Sequence, residues 1–243
     1  MSVQARPAFY ALAPGGWRDY VTLLHVPYTL WHLSYVAIGA ALAPRLDGWR
    51  FGAAIGAFAL ALGVAAHALD ELHGRPLRTR IPSSTLAVLA VVSLGGAVAL
   101  GVVVAVTFHV WLLAFVVFGG FIAVAYNLEL FGGRFHGDLW FAVAWGAFPT
   151  LTGYFAMAGR VRVEAVAAAA FAALLSHAQR ILSTEVRTAR REVTRVEGTV
   201  ELADGRRLAL TPESFVRTPE RALRVLAAAT VLLALALLAR HLA

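Results

Sequence analysis

Long apolar runs separated by short polar stretches dominate the chain. A helix needs about 20 apolar residues to cross a hydrocarbon core roughly 30 Å thick. On that rule the pattern predicts spans over 20–43, 51–70, 84–106, 108–126, 139–158, 163–183 and 220–240. The fold class expected is all-α, a polytopic transmembrane helical bundle of about seven spans. The first predicted span is unusual, because Tyr20, His25, Tyr28, Trp31, His32 and Tyr35 crowd its early half. Such a helix either lines a cavity or sits in the membrane interface. The preceding MSVQARPAFYALAPGGW lacks the apolar region and small-residue cleavage site of a signal peptide, so it reads as a short cytoplasmic arm.

One segment does not suit a bilayer. Residues 192–218 are charged, with two short alternating runs, Thr199 to Leu202 and Arg207 to Leu210, around Ala203-Asp204-Gly205-Arg206. Asp-Gly between such runs signals a hairpin. The chain therefore divides into a transmembrane bundle over 1–191, a small cytoplasmic β-hairpin insertion over 192–218, and a final transmembrane helix over 219–243. Pro219 and Glu220 are read as that helix's first turn.

Composition agrees with this reading and narrows the function. The chain is 60% hydrophobic and 14% charged, with mean hydropathy +0.72, which excludes an ordinary soluble domain. Cysteine is absent, so disulfides and thiolate-bound metals are excluded. Every basic residue is Arg, and the net charge of +7 reports orientation here, with no nucleic acid as partner. Placing the N-terminus in the cytoplasm puts Arg6, Arg18, Arg75, Arg78, Arg80, Arg134 and the cluster from Arg180 to Arg224 inside. Only Arg45, Arg50, Arg160, Arg162 and Arg240 then lie outside. The expectation is a multi-pass protein of the cell inner (plasma) membrane, N-terminus in and C-terminus out, surrounded by membrane lipids. The second, fourth and sixth spans then all deliver polar residues to one face.

Ionisable residues near membrane depth are costly and mark candidate sites. At the end of the second span stand His67, Asp70, Glu71 and His73. On a continuous helix His67, Asp70 and Glu71 share a face, and carboxylates with imidazoles suit Mg, Mn, Fe or Zn. The alternative is that Asp70 and Glu71 pair with Arg75 and Arg78. After the fourth span come Tyr126, Asn127, Glu129, Arg134, His136 and Asp138 around Gly132-Gly133. Beyond the sixth run lie Ser176, His177, Gln179, Arg180, Ser183, Thr184, Glu185 and Arg187. Arg180 and Arg187 suit bidentate phosphate recognition. Positive-inside flanking accounts equally for Arg187, Arg190 and Arg191.

The acidic motif with Arg75-Pro76-Leu77, the Tyr-containing loop before GDLWFAVAWGAFPTLTGYFAMAG and the polar motif after the sixth run resemble the UbiA-type intramembrane prenyltransferase superfamily over roughly residues 17 to 191. The resemblance implies Mg²⁺ held by two Asp-rich motifs and an isoprenoid diphosphate or prenylated lipid as substrate. On the first motif Ala66 takes the Asn position, and His67, Asp70 and Gly74 the three Asp positions; on the second, His177, Ile181 and Glu185 do so. The implied reaction is metal-assisted departure of diphosphate, with Asp70, Glu71 and Arg180 catalytic. Asp70, His67, His73, His177 and Glu185 would hold the metal. Arg134, Tyr126, Asn127, Arg75, Tyr28 and Trp31 would bind substrate, with Tyr35, Trp140 and Trp145 along the apolar tunnel.

Two alternatives stand beside this one. Histidine at Asp positions points to a transition-metal membrane enzyme, with Fe or Zn on His67, Asp70, His73, His136 and His177. A non-catalytic lipid-binding or assembly protein on the same fold would use the hairpin for docking. A homo-oligomer or a partner subunit would complete a bundle with fewer spans than the family has.

Overall fold

The computed structural model describes residues 7–242, so Arg6 of the orientation argument lies outside the described residues. Helices dominate: α1 (Trp17–Leu23), α2 (Val26–Leu42), α3 (Gly48–Leu72), α4 (Ser83–Thr107), α5 (Leu112–Asn127), α6 (138–158), α7 (Val163–Arg191) and α8 (Pro212–Ala239). Four of these, α3, α4, α7 and α8, are long and apolar enough to cross a membrane, and α5 is a shorter apolar helix. Exposed faces on α4 (Val88, Val91, Val92, Val106) and α8 (Val225, Leu232, Leu235) are apolar, as lipid-facing helices require. The chain is a membrane protein.

Helix α2 is the axis of the bundle and packs against α3, α6, α7 and α8. Trp31, Tyr35, Val36 and Ala40 on it are fully buried, and the Trp31 indole N–H donates to Tyr35 Oη at 2.7 Å. Close approach depends on glycine, as is usual where lipid supplies no hydrophobic drive between helices. A Cβ at Gly39 would strike the Thr150 carbonyl of α6, and one at Gly153 would strike the Val36 carbonyl of α2. Gly146 meets Ala172 of α7 in the same way.

Three details depart from the sequence expectation. The first predicted span is two helices, because Pro27 near the start of α2 lacks the N–H that a continuous helix would use and restricts the residue before it. His25 fills the break in left-handed conformation, φ 45° and ψ 46°. The last helix starts at Pro212 and carries Pro219 inside it, because Thr211 and Ser214 form a capping box that nucleates an earlier first turn. Finally, α3 and α6 each contain a widened π-helical stretch, Ala59–Ala66 and Val143–Ala147.

The hairpin forms as expected. Strand β1 (Thr199–Glu201) pairs antiparallel with β2 (Arg207–Ala209), with Val200 opposite Leu208. Gly205 takes positive φ at the turn, and Arg206 donates to Asp204 from its backbone N–H and its side chain. Those bonds hold the Asp204 carboxyl below its usual range.

Candidate functional site

The C-terminal ends of α3, α5 and α7 converge with the N-terminal ends of α2 and α6 around a polar cavity of about 350 Å³. Its walls carry Asp70 and His67 from α3, Tyr126 and Asn127 from α5, and Arg180, Arg187 and Arg191 from α7. Residues 7–10 close one side. There Tyr10 meets the His25 and Tyr28 rings edge-on at 5.0 and 5.5 Å, and burial pushes its phenol above the usual range.

Helix irregularity shapes this cavity. A π-helical stretch widens the turn and redirects backbone carbonyls, and such stretches recur at functional sites. In α6 the Trp145 carbonyl meets His32 Nδ1 at 2.8 Å; in α3 the Gly63 carbonyl meets His67 Nδ1 at 3.1 Å. His136 Nδ1 likewise lies 2.9 Å from the Tyr126 carbonyl. A carbonyl only accepts, so each Nδ1 donates. His32 Nε2 stands 3.5 Å from the Gln179 amide nitrogen, consistent with that assignment.

An apolar groove of about 100 Å³ adjoins the polar cavity. It is lined by α3, α4, α5 and α6, from Arg50 at the far end of α3 to Leu62, Ile122, Ala123 and Trp145. Leu62 and Trp145 belong to both walls, and each lies in one of the π-helical stretches. From Arg50 to Leu62 the helix advances roughly 18 Å at 1.5 Å per residue. The polar cavity and the apolar groove thus lie side by side, with Leu62 and Trp145 between them.

The two adjacent acids of α3 have opposite fates. Glu71 is fully buried and turned away from the cavity; its carboxylate accepts from Leu77 N (2.9 Å), Thr79 N (2.8 Å) and Thr79 Oγ1 (2.8 Å). It organises the loop to α4, with Arg75 donating to the Ile81 carbonyl at 2.6 Å and to Ser83. The Asp70 carboxylate faces the cavity and forms no hydrogen bond or ion pair among the described residues. The expected shared face of His67, Asp70 and Glu71 thus holds for the first two only, since residues one apart on a helix point about 100° apart.

Among the other candidates, Tyr28, Tyr126, Asn127, His73 and His136 line the cavity. Arg180 also does, held by Tyr126 Oη at 2.9 Å and by Asp138 at 3.2 Å, and it lies over the Phe141 ring. Arg134 and Glu185 are exposed, and neither they nor His177, Arg75 and Trp31 line the cavity. His25, expected on a helix that lines a cavity or sits in the interface, and Arg191, expected as a flanking cation, both stand on the cavity wall, as do the strap residues Phe9 and Tyr10, which the sequence did not single out. The available signal was periodicity: Arg180, Ser183, Arg187 and Arg191 recur at i, i+3, i+7 and i+11 on one helical face.

Four buried side-chain atoms of the described residues have no hydrogen-bond partner, and three belong to cavity residues: His25 Nδ1, Gln179 Oε1 and Arg191 Nε. Buried polar atoms are normally satisfied, so these await a ligand or ordered water. No group of three or more His, Asp or Glu side chains among the described residues is arranged to hold a metal ion. Comparison of the chain with protein-family models, curated proteins and solved structures finds no match, so the superfamily likeness rests on the motifs alone.

Proposed function

We propose that this chain binds an amphiphilic isoprenoid diphosphate or a prenylated lipid within the membrane, with the charged head in the polar cavity and the tail in the apolar groove. The observation that carries the reading is the shared wall: Leu62 and Trp145 border both spaces, which puts a polar and an apolar space next to each other, and the reading has one ligand extend from the first into the second. Apolar walls with a few convergent polar groups are what such a ligand needs. Three Arg residues at the head end match its negative charge.

The activity proposed is prenyl transfer, as the UbiA-type motifs imply. The bond between allylic C1 and the diphosphate oxygen breaks, and its electron pair leaves on the diphosphate. A nucleophile on the acceptor bonds C1, and the proton it sheds passes to Asp70 or to an unprotonated histidine Nε2. Arginine stabilises the departing charge, while Trp145 and Phe141 face the allylic cation. In the proposed topology about seven helices cross the inner membrane. The cavity then opens to the cytoplasm, by the positive-inside rule.

The test is chain-length dependence of binding. Purified protein in phosphatidylcholine nanodiscs should bind geranyl, farnesyl and geranylgeranyl thiodiphosphate with rising affinity. Ala97→Phe, which fills the groove, should weaken the longest most. Affinity independent of tail length would remove the groove from the ligand site. Non-catalytic lipid binding is favoured by one observation, that Asp70 is the single acid α3 offers to the cavity. Release of pyrophosphate from farnesyl diphosphate separates transfer chemistry from binding alone.

A further inference from the structure

We propose that the polar cavity takes its diphosphate directly on Arg187 and Arg191, without a divalent cation. This rests on the reading of the cavity as a head-group site and assigns the chemistry that holds the head.

The two residues are one helical turn apart on α7, about 6 Å of rise, and both line the cavity. Neither has a carboxylate partner among the described residues. Arg187 donates only to hydroxyls of its own helix, to Thr184 at 2.8 Å and Ser183 at 3.4 Å. Arg191 keeps its Nε buried with no partner at all. The other arginines nearby are spent: Arg180 on Tyr126 and Asp138, and Arg190 on Glu220 at 2.6 Å. Two guanidiniums without a carboxylate partner among the described residues, at one wall and each a planar fork of N–H donors, fit a pair of linked phosphates.

A cation site would need the opposite balance. Of the acids, only Asp70 and the exposed Glu129 reach the cavity, while Glu71 is consumed by Leu77 and Thr79. Arg187 and Arg191 line the same cavity as Asp70. A divalent ion beside Asp70 would share the cavity with those two cations, and like charges in a poorly solvated pocket repel. The unpartnered Gln179 amide oxygen and His25 Nδ1 are ready to meet water or the remaining protons of the ligand.

The experiment measures binding of farnesyl thiodiphosphate to the full chain in phosphatidylcholine nanodiscs by calorimetry, once in EDTA and once in excess Mg²⁺. Affinity should be the same in both, and inorganic pyrophosphate should compete in both. Arg187→Gln and Arg191→Gln should each weaken binding about tenfold. Arg191→Lys, which keeps the charge and guards against misfolding, should lose part of that affinity with unchanged thermal melting. Binding that vanishes in EDTA and returns with Mg²⁺ overturns the metal-free clamp but leaves the diphosphate lipid as ligand. Failure to bind in either condition, with farnesol still bound, overturns the head-group reading itself. Complete displacement by phosphatidylglycerol in the nanodisc would assign the clamp to a phospholipid head and also overturn the proposal.

Discussion

Arginine occupies both ends of this bundle, but it is used differently at each. At the far end Arg50 donates to the Ala156 and Met157 carbonyls at 3.2 Å, pairs with Asp47 at 3.5 Å and lies 3.8 Å from the Phe108 ring centroid. It ties off the last turn of α6, and those contacts engage its guanidinium within the chain. At the cavity end Arg187 and Arg191 have no carboxylate partner among the described residues, and the Asp70 carboxylate, lining the same cavity, is likewise unpaired among them. A helix end that is satisfied internally is structural; one whose polar groups are left open is prepared for something that is not part of the chain.

Substitutions should break this comparison in a definite order. The largest effect belongs to Glu71→Ala, which strips partners from two backbone N–H groups and a hydroxyl in a buried loop. It should cost about 3 kcal/mol of stability, read as a clear drop in Tm in detergent. Next comes Arg50→Ala, expected to cost about 2 kcal/mol because the α6 carbonyls lose their donor. Glu71→Ala should act on ligand affinity only through folding, whereas Arg50 lines the far end of the groove, so Arg50→Ala should also weaken binding of the longest tail.

Arg191→Gln should invert that pattern, weakening diphosphate binding about tenfold, near 1.4 kcal/mol, while Tm stays in place. Asp70→Asn tests the sign. With arginine as the anion receptor, removing the one unpaired carboxylate should tighten binding of farnesyl thiodiphosphate by about twofold to fivefold, since one like charge is gone. A metal held by Asp70 would make the same substitution abolish binding. Smallest of all is Arg207→Gln on the exposed hairpin, which removes only its contact with Glu201 and should change neither Tm nor affinity.

Much of the architecture was legible from hydropathy, and the hairpin from Asp204-Gly205 between alternating runs. Both are local signals. What was not legible depends on geometry across helices. Periodicity at 3.6 residues assigned Glu71 to the face of Asp70, yet the Leu77 and Thr79 amides claim it. The two π-helical stretches also escape a fixed period, although they set Leu62 and Trp145 at the junction of the two spaces. Arg191 looked like one more flanking cation, because sequence cannot show that its neighbour Arg190 has a carboxylate and it does not.

The split of a single ligand between the two spaces is tested most directly by photocrosslinking. A farnesyl diphosphate analogue with a diazirine at the tail tip, irradiated in nanodiscs and mapped by mass spectrometry, should label groove residues of α3, α4 and α5 such as Ala57, Gly101 and Val116. Labelling there should disappear when excess inorganic pyrophosphate occupies the polar cavity. Labelling confined to the exposed valines of α4 and the exposed leucines of α8, unaffected by pyrophosphate, would mean that the tail lies in bulk lipid and that cavity and groove do not form one site.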